Sequence, residues 1–305
     1  MYTNEQFNLI INKYKSITDE ISKNNNYPEN IRHLLYIIIP AFIIKYNLEN
    51  ERIIIDTFKN IPIIINDVND TSNPALFTRQ IKKINNEYLT VKNIIIKNYR
   101  NAGLLPLLDS LIHEYNHAIN SIKNEIIIKD NQIHLRTGIC NNKYDINLNY
   151  IENENITLEE IINTNDSEEI INLIKSFKNY EISDYEIKNT IEIINKEIGN
   201  NYTSKAYYLQ SFVCKSLLEN RTFINTLKKL RFSGNIEDID YWFDNITGKK
   251  DSFKTLNKLL NDSLKKEREL TQIKLFKKKK INEIRDNIKK INEIINLFDK
   301  NCNIK

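Results

Sequence analysis

Glycine and proline number five each in 305 residues, histidine four, cysteine three, and methionine and tryptophan one each. So few glycines and prolines leave few tight turns and few helix breakers, so long helices are expected. All five prolines lie at or before Pro106, which makes the N-terminal third the more irregular part. Cys140, Cys214 and Cys302 are scattered and odd in number, and they form no C-x-x-C pair. That argues against a disulfide framework and a cysteine-based zinc site. The N-terminus lacks a basic stretch followed by an apolar core, so no secretory signal is expected. The most apolar run, 34–44, is shorter than the roughly 20 residues a membrane span needs and contains Pro40. A cytoplasmic address without a membrane span is the simplest expectation. No charge sign dominates either: 44 basic against 40 acidic side chains leave +4, too little to suggest a nucleic-acid partner.

What is present is isoleucine, asparagine and lysine in excess, a bias that carries no function. Periodicity predicts an α+β chain, predominantly helical, with a small mixed or antiparallel sheet. Four consecutive regions are expected. Residues 1–60 are helical, with amphipathic 4–24 and apolar 30–47 bent at Pro40. Residues 61–165 hold strands at 61–65 and 93–99, a turn-rich stretch at 66–73, a helix around 104–118 and two or three short strands between 125 and 147. A capping-box pattern, Thr157-Leu-Glu-Glu160, opens a further helix. Residues 166–250 read as helices at about 167–178, 184–198, 202–219 and 221–230. Residues 251–305 form a long basic helix or helical pair, with Ile281, Ile284, Ile288, Ile291, Ile295 and Phe298 at heptad-like spacing. Lys277 to Lys280 read as a solvated face, and His33 as a structural histidine.

Two of the four histidines sit four residues apart around a glutamate, in His113-Glu-Tyr-Asn-His117. On a helix both imidazoles share a face and can meet one metal ion, with Glu114 close enough to act on a metal-activated water. Leu104, Leu107, Leu108, Leu111 and Ile112 make a helix-period stripe leading into the pattern. The bland alternative is a pair of surface or core histidines on an ordinary helix. A catalytic zinc takes three protein ligands, and the third must lie elsewhere. His134 is one candidate; Glu159, Glu160, Glu168, Glu169 and Glu219 are the carboxylate candidates, with Asn163 or Asp166 as acceptors that orient the histidines.

The chain resembles a zincin metallopeptidase of the gluzincin type, and more narrowly little-characterised zincin-like proteins of low-GC bacteria. The resemblance spans about residues 90–245 and rests on His113-Glu-Tyr-Asn-His-Ala118, Arg136-Thr-Gly138 and Leu158-Glu-Glu160, with a further helix opening near Asn201-Tyr-Thr-Ser204. It departs at Glu159, where Asn is commoner. The resemblance implies a zincin-like core holding one Zn²⁺ by His113, His117 and Glu160, with Glu114 as general base. It also makes Tyr202 a candidate oxyanion donor. The implied activity is that of a zinc metalloendopeptidase acting on a peptide or protein, with strand 93–99 aligning the substrate main chain. Two alternatives stay open: a zincin fold that binds without hydrolysis, and a helical scaffold or interaction protein built on the C-terminal helices.

Overall fold

The computed structural model describes residues 4–24, 26–46, 50–66, 68, 75–85, 87–97, 99–176, 185–199, 202, 207–235, 237–272 and 277–302. The turn-rich stretch expected at 66–73 lies outside them except for Asn66 and Val68, as does 201–204 except for Tyr202. The protein is mixed α and β and mostly helical. It forms two compact units, each built from separated stretches: 1–119 with 166–204, and 120–165 with 205–305.

The first unit contains α1 (Asn4–Asn24), α2 (Glu29–Tyr46), α3 (Glu51–Asn60), α4 (Leu104–Ile119) and α6 (Tyr185–Ile198). Every residue of α2 from His33 to Ile43 is buried; a helix apolar all round belongs in a core. Pro40 is accommodated inside it. His33 lies against Thr190 at 3.4 Å and Glu29 at 3.9 Å. An aromatic chain ties α2 and α3 to α4: the Phe42 and Phe58 rings meet edge-on at 5.7 Å, and Phe58 lies 4.0 Å from Tyr115.

Its sheet has the order β1-β3-β2, with β1 (Ile63–Ile65) parallel to β3 (Glu87–Ile96) and β2 (Ala75–Ile84) antiparallel to it. The strand expected at 93–99 is thus the end of a longer one, and it is central rather than at an edge. Its partner β2 escapes sequence reading because its residues 79, 82 and 83 are cationic and its burial is shallow. Ala75, Ile94 and Ile96 are buried on the face that packs on α4. Asn85, at φ 50°, turns the chain between β2 and β3, a conformation Asn tolerates.

The second unit opens with a four-stranded antiparallel meander: β4 (Ile126–Lys129), β5 (Gln132–Thr137), β6 (Cys140–Asp145) and β7 (Tyr150–Glu154). Asp130 and Asn131, at φ 51° and 57°, make the two-residue β4–β5 turn, as a primed hairpin requires. Among the described residues six helices follow: α7 (Tyr208–Val213), α8 (Lys215–Glu219), α9 (Arg221–Ser233), α10 (Glu237–Thr247), α11 (Ser252–Gln272) and α12 (Lys277–Cys302). The single helix expected over 202–219 is broken at Cys214. On α12 the buried stripe is Ile284, Asn287, Ile291, Ile295 and Phe298, whereas Ile281 of the expected heptad pattern is exposed and Ile288 half-buried. It packs onto α8, α10 and α11, around a core of Phe223, Phe243, Phe253 and Phe298.

One helix, α5 (Ile156–Lys175), contributes its first ten residues to the second unit and the remainder to the first, without a break. It replaces the two helices expected from 157 and from 167. It starts one residue before Thr157, where the Asn155 carbonyl (φ 60°) accepts the Glu159 N–H at 3.0 Å. Thr157 is therefore not its cap, and Glu160 is not part of a capping box.

Among the described residues, no helix is long and apolar enough to cross a membrane.

Candidate metal centre

Helix α4 is positioned from both flanks of its apolar stripe. Leu107, Leu108, Leu111, Ile112, Tyr115, Ala118 and Ile119 are buried; Pro106 sits in the first turn, where a missing N–H costs nothing. Asn116 is fully buried. It accepts the Tyr46 hydroxyl at 2.9 Å and donates to Ser167 Oγ at 3.2 Å, which fixes the rotation of α4 about its axis. The two histidines are then set by helix geometry: their rings are 4.9 Å apart with planes at 81°. His117 is buried and His113 half-buried.

Glu160, half-buried on α5, joins them. One nitrogen from each histidine and one Glu160 oxygen all lie within 4.8 Å of one another. Tetrahedral zinc with bonds of about 2.0–2.1 Å sets its ligand atoms about 3.4 Å apart, so modest side-chain rotation closes the set. Two imidazoles and a carboxylate suit zinc rather than the all-oxygen shell of calcium or magnesium.

The neighbouring Glu159 goes elsewhere. Its carboxylate takes Arg231 at 2.6 and 3.0 Å and the Ile139 N–H at 2.9 Å. It fills the space a Cβ on Gly138 would occupy. Gly138, at φ 58°, supplies both the turn and the clearance. Arg136 lies beneath, fully buried, with Nη1 donating to the carbonyls of Asn120, Gly138 and Arg231. The sequence elements Arg136-Thr-Gly138 and Leu158-Glu-Glu160 thus form one buried lattice that anchors the start of α5.

Glu114 is also buried, and its Oε2 accepts the Phe77 N–H of β2 at 2.6 Å. The strand beside this carboxylate is therefore β2, at the sheet edge, not the central β3. Among the remaining candidates, His134 stands on β5 with Nδ1 2.9 Å from Asn141. Glu169 pairs with Lys45 and Glu219 with Lys215. Asp166 sits 3.3 Å from Lys45, and Asn163 sits 3.5 Å from Arg231. Of the ligand candidates, His134, Glu169 and Glu219 do not belong to the three-residue group.

Tyr202 is held by a pair of bonds with Asn172, its N–H donating at 3.1 Å and its carbonyl accepting at 3.3 Å. Its phenol and the Asp109 carboxyl interact, each shifting the other. Burial pushes the Tyr202 phenol far up, and the adjacent Asp109 charge adds to this. Burial likewise raises the Asp109 carboxyl, against the opposing effects of the Tyr202 hydrogen bond and of His113. Asp109 was not singled out in the sequence, although a signal exists: Asp109, His113 and His117 occupy successive turns of one helix face.

Comparison with protein-family models, curated proteins and solved structures finds no match for this chain.

Proposed function

We propose that this protein is a zinc-dependent metallopeptidase in which His113, His117 and Glu160 hold the ion and Glu114 is the general base. The observation that carries the reading is the convergence of His113 and His117 of α4 with Glu160 of α5, with Glu114, next to His113, buried beside a sheet edge. When bound, zinc supplies Lewis acidity toward water and the substrate carbonyl.

The protein's own groups do the rest. Glu114 takes a proton from the attacking water and returns it to the leaving amine. Its Oε2 bond to the Phe77 N–H fixes the carboxylate's orientation, and a carboxylate has about four acceptor positions, enough to keep that bond while handling a proton. The substrate main chain aligns along β2, because its outer edge is unpaired by any strand among the described residues and an exposed edge is where an extended peptide adds. Tyr202 supports Asp109 through its hydroxyl instead of meeting the developing oxyanion. Asp109, one turn before His113, favours the imidazole's orientation and its electron donation.

The test is Glu114→Gln compared with His113→Ala on purified protein, read by elemental analysis and digestion of a peptide library. Glu114→Gln is expected to keep zinc near one equivalent and lose hydrolysis, while His113→Ala loses both. A wild-type protein that takes up no zinc, or a Glu114→Gln variant that cleaves as wild type does, overturns the reading.

A further inference from the structure

The near-balance of charge over the whole chain, 44 basic against 40 acidic side chains, hides an uneven distribution. Residues 251–305 carry 15 basic and 8 acidic side chains, whereas residues 1–250 carry 29 and 32. The positive excess therefore belongs to the stretch that forms α11 and α12.

In these helices most acids are engaged within the protein. Asp262 accepts Lys266 at 2.6 Å and Asn287 at 2.7 Å. Glu283 stands 3.4 Å from Lys266, Glu269 pairs with Lys280, and Glu267 accepts Gln210 of α7 at 2.7 Å. A row of donors on α12 is not engaged. Lys278, Asn282, Arg285, Lys289, Asn292 and Asn296 follow one another at intervals of three or four, so they share one helix face. All six are exposed. No acid interrupts the row; exposed Asp286 and Glu293 lie beside it. Among the described residues, none of the six side chains has an ion pair or a hydrogen bond. The row is about 27 Å long at 1.5 Å per residue. The helix that carries it is held by Ile291, Ile295 and Phe298 in the core, so the donors are presented on a fixed support.

We propose that this face of α12 binds double-stranded nucleic acid through its phosphates, without reading base sequence. Lysine, arginine and asparagine side chains are phosphate donors, and cations that displace condensed counterions supply sequence-independent affinity. Lys278 and Arg285 stand about 10 Å apart along the helix axis, close to the roughly 12 Å width of a major groove, so a straight helix can meet phosphates on both of its sides. A single strand calls for exposed aromatic rings on which bases stack, and a lipid surface calls for apolar side chains to bury. Among the described residues of α11 and α12, the exposed large hydrophobic is Ile281 alone. The inference stands on α12 and is independent of the metal centre.

The whole protein is titrated by fluorescence anisotropy with a labelled 20-base-pair DNA duplex of arbitrary sequence (length about 20 pairs), across about 50–200 mM salt. Micromolar binding is expected, with log Kd rising with log salt at a slope of about three for the three cations of the row. Replacing Lys278, Arg285 and Lys289 by Gln together should weaken binding at least tenfold and remove most of that slope. Lys23→Gln, Lys129→Gln and Lys188→Gln together take the same charge from exposed positions elsewhere and should change Kd less than twofold. Thermal melting shows that each variant folds, and Asn282→Lys, which adds a cation to an exposed position of the row, should tighten binding severalfold. No duplex binding at the lowest salt, equal weakening by the two triple variants, or no tightening by Asn282→Lys overturns the proposal. So does tighter binding of a single strand of equal charge, of polyglutamate or of phosphatidylserine vesicles.

Discussion

Arg231 and Glu159 meet at 2.6 Å with both side chains about 1% exposed. Seventy-two positions apart in the chain, they form a buried pair whose geometry sends one of two adjacent glutamates into the protein. The other, Glu160, is directed to His113 and His117.

These two carboxylates should therefore separate cleanly on substitution. Glu159→Gln leaves Arg231 buried without its counter-charge, so stability falls by about 3–5 kcal/mol, while folded protein keeps its zinc. Glu160→Gln should change metal-free stability by less than about 1 kcal/mol and lose the ion. Denaturant unfolding paired with elemental analysis reads both; zinc loss in folded Glu159→Gln together with zinc retention in Glu160→Gln would reverse the assignment.

Gly138→Ala should be among the most damaging single-methyl changes in the chain. A Cβ there would lie 2.1 Å from Glu159 Oε2 at a φ of 58°. Left-handed strain costs about 1–2 kcal/mol, and displacing the carboxylate weakens its bonds to Arg231 and Ile139 as well. In a double-mutant cycle with Glu159→Ala the two costs should be strongly non-additive, since removing the carboxylate relieves the clash. Additive losses would show that the clearance at Gly138 is not what matters.

Tyr202→Phe removes the hydroxyl that interacts with Asp109, so a cost of about 1–3 kcal/mol in stability is expected. Because that hydroxyl is already committed, kcat should change less than tenfold, short of the roughly 10²–10³ lost with an oxyanion donor. Steady-state kinetics on a cleaved peptide decides between the two roles.

Acid sensitivity should trace partly to Asp262. Its carboxylate accepts Lys266 at 2.6 Å and, across from α11 to α12, Asn287 at 2.7 Å. The hydrogen bond from Lys266, then that from Asn287, holds its pKa below the ordinary 3.8. A depressed folded pKa means the unfolded chain binds the proton first. The stabilisation is therefore complete above about 3.8 and is lost as pH falls through the lower folded value. Asp262→Asn should flatten the acid limb of the stability curve; an unchanged limb would show that the carboxylate contributes nothing there.

How much of this was legible in the chain depends on the range of the forces involved. The grouping of His113, Glu114 and His117 on one helix follows from a 3.6-residue period alone, because a helix is built from local bonds. The same holds for the buried stripe of α12, where Ile284, Asn287, Ile291, Ile295 and Phe298 repeat by three and four. The choice between Glu159 and Glu160 came from the resemblance alone and not from local periodicity. Adjacent helical residues point about 100° apart, and which of them faces inward depends on Arg231 and on the space left by Gly138. Nor was β2: its pattern of cations and half-buried apolar residues matches no local template. It becomes a strand because β3 offers it a ladder, and its Phe77 N–H reaches Glu114 only once α4 packs beneath. The sequence by itself determined the donors on α4, since periodicity is a short-range property. Only the tertiary structure decided which glutamate stands beside them, the strand edge next to Glu114 and the surroundings of Tyr202, because burial and pairing between distant segments are long-range and leave no periodic trace.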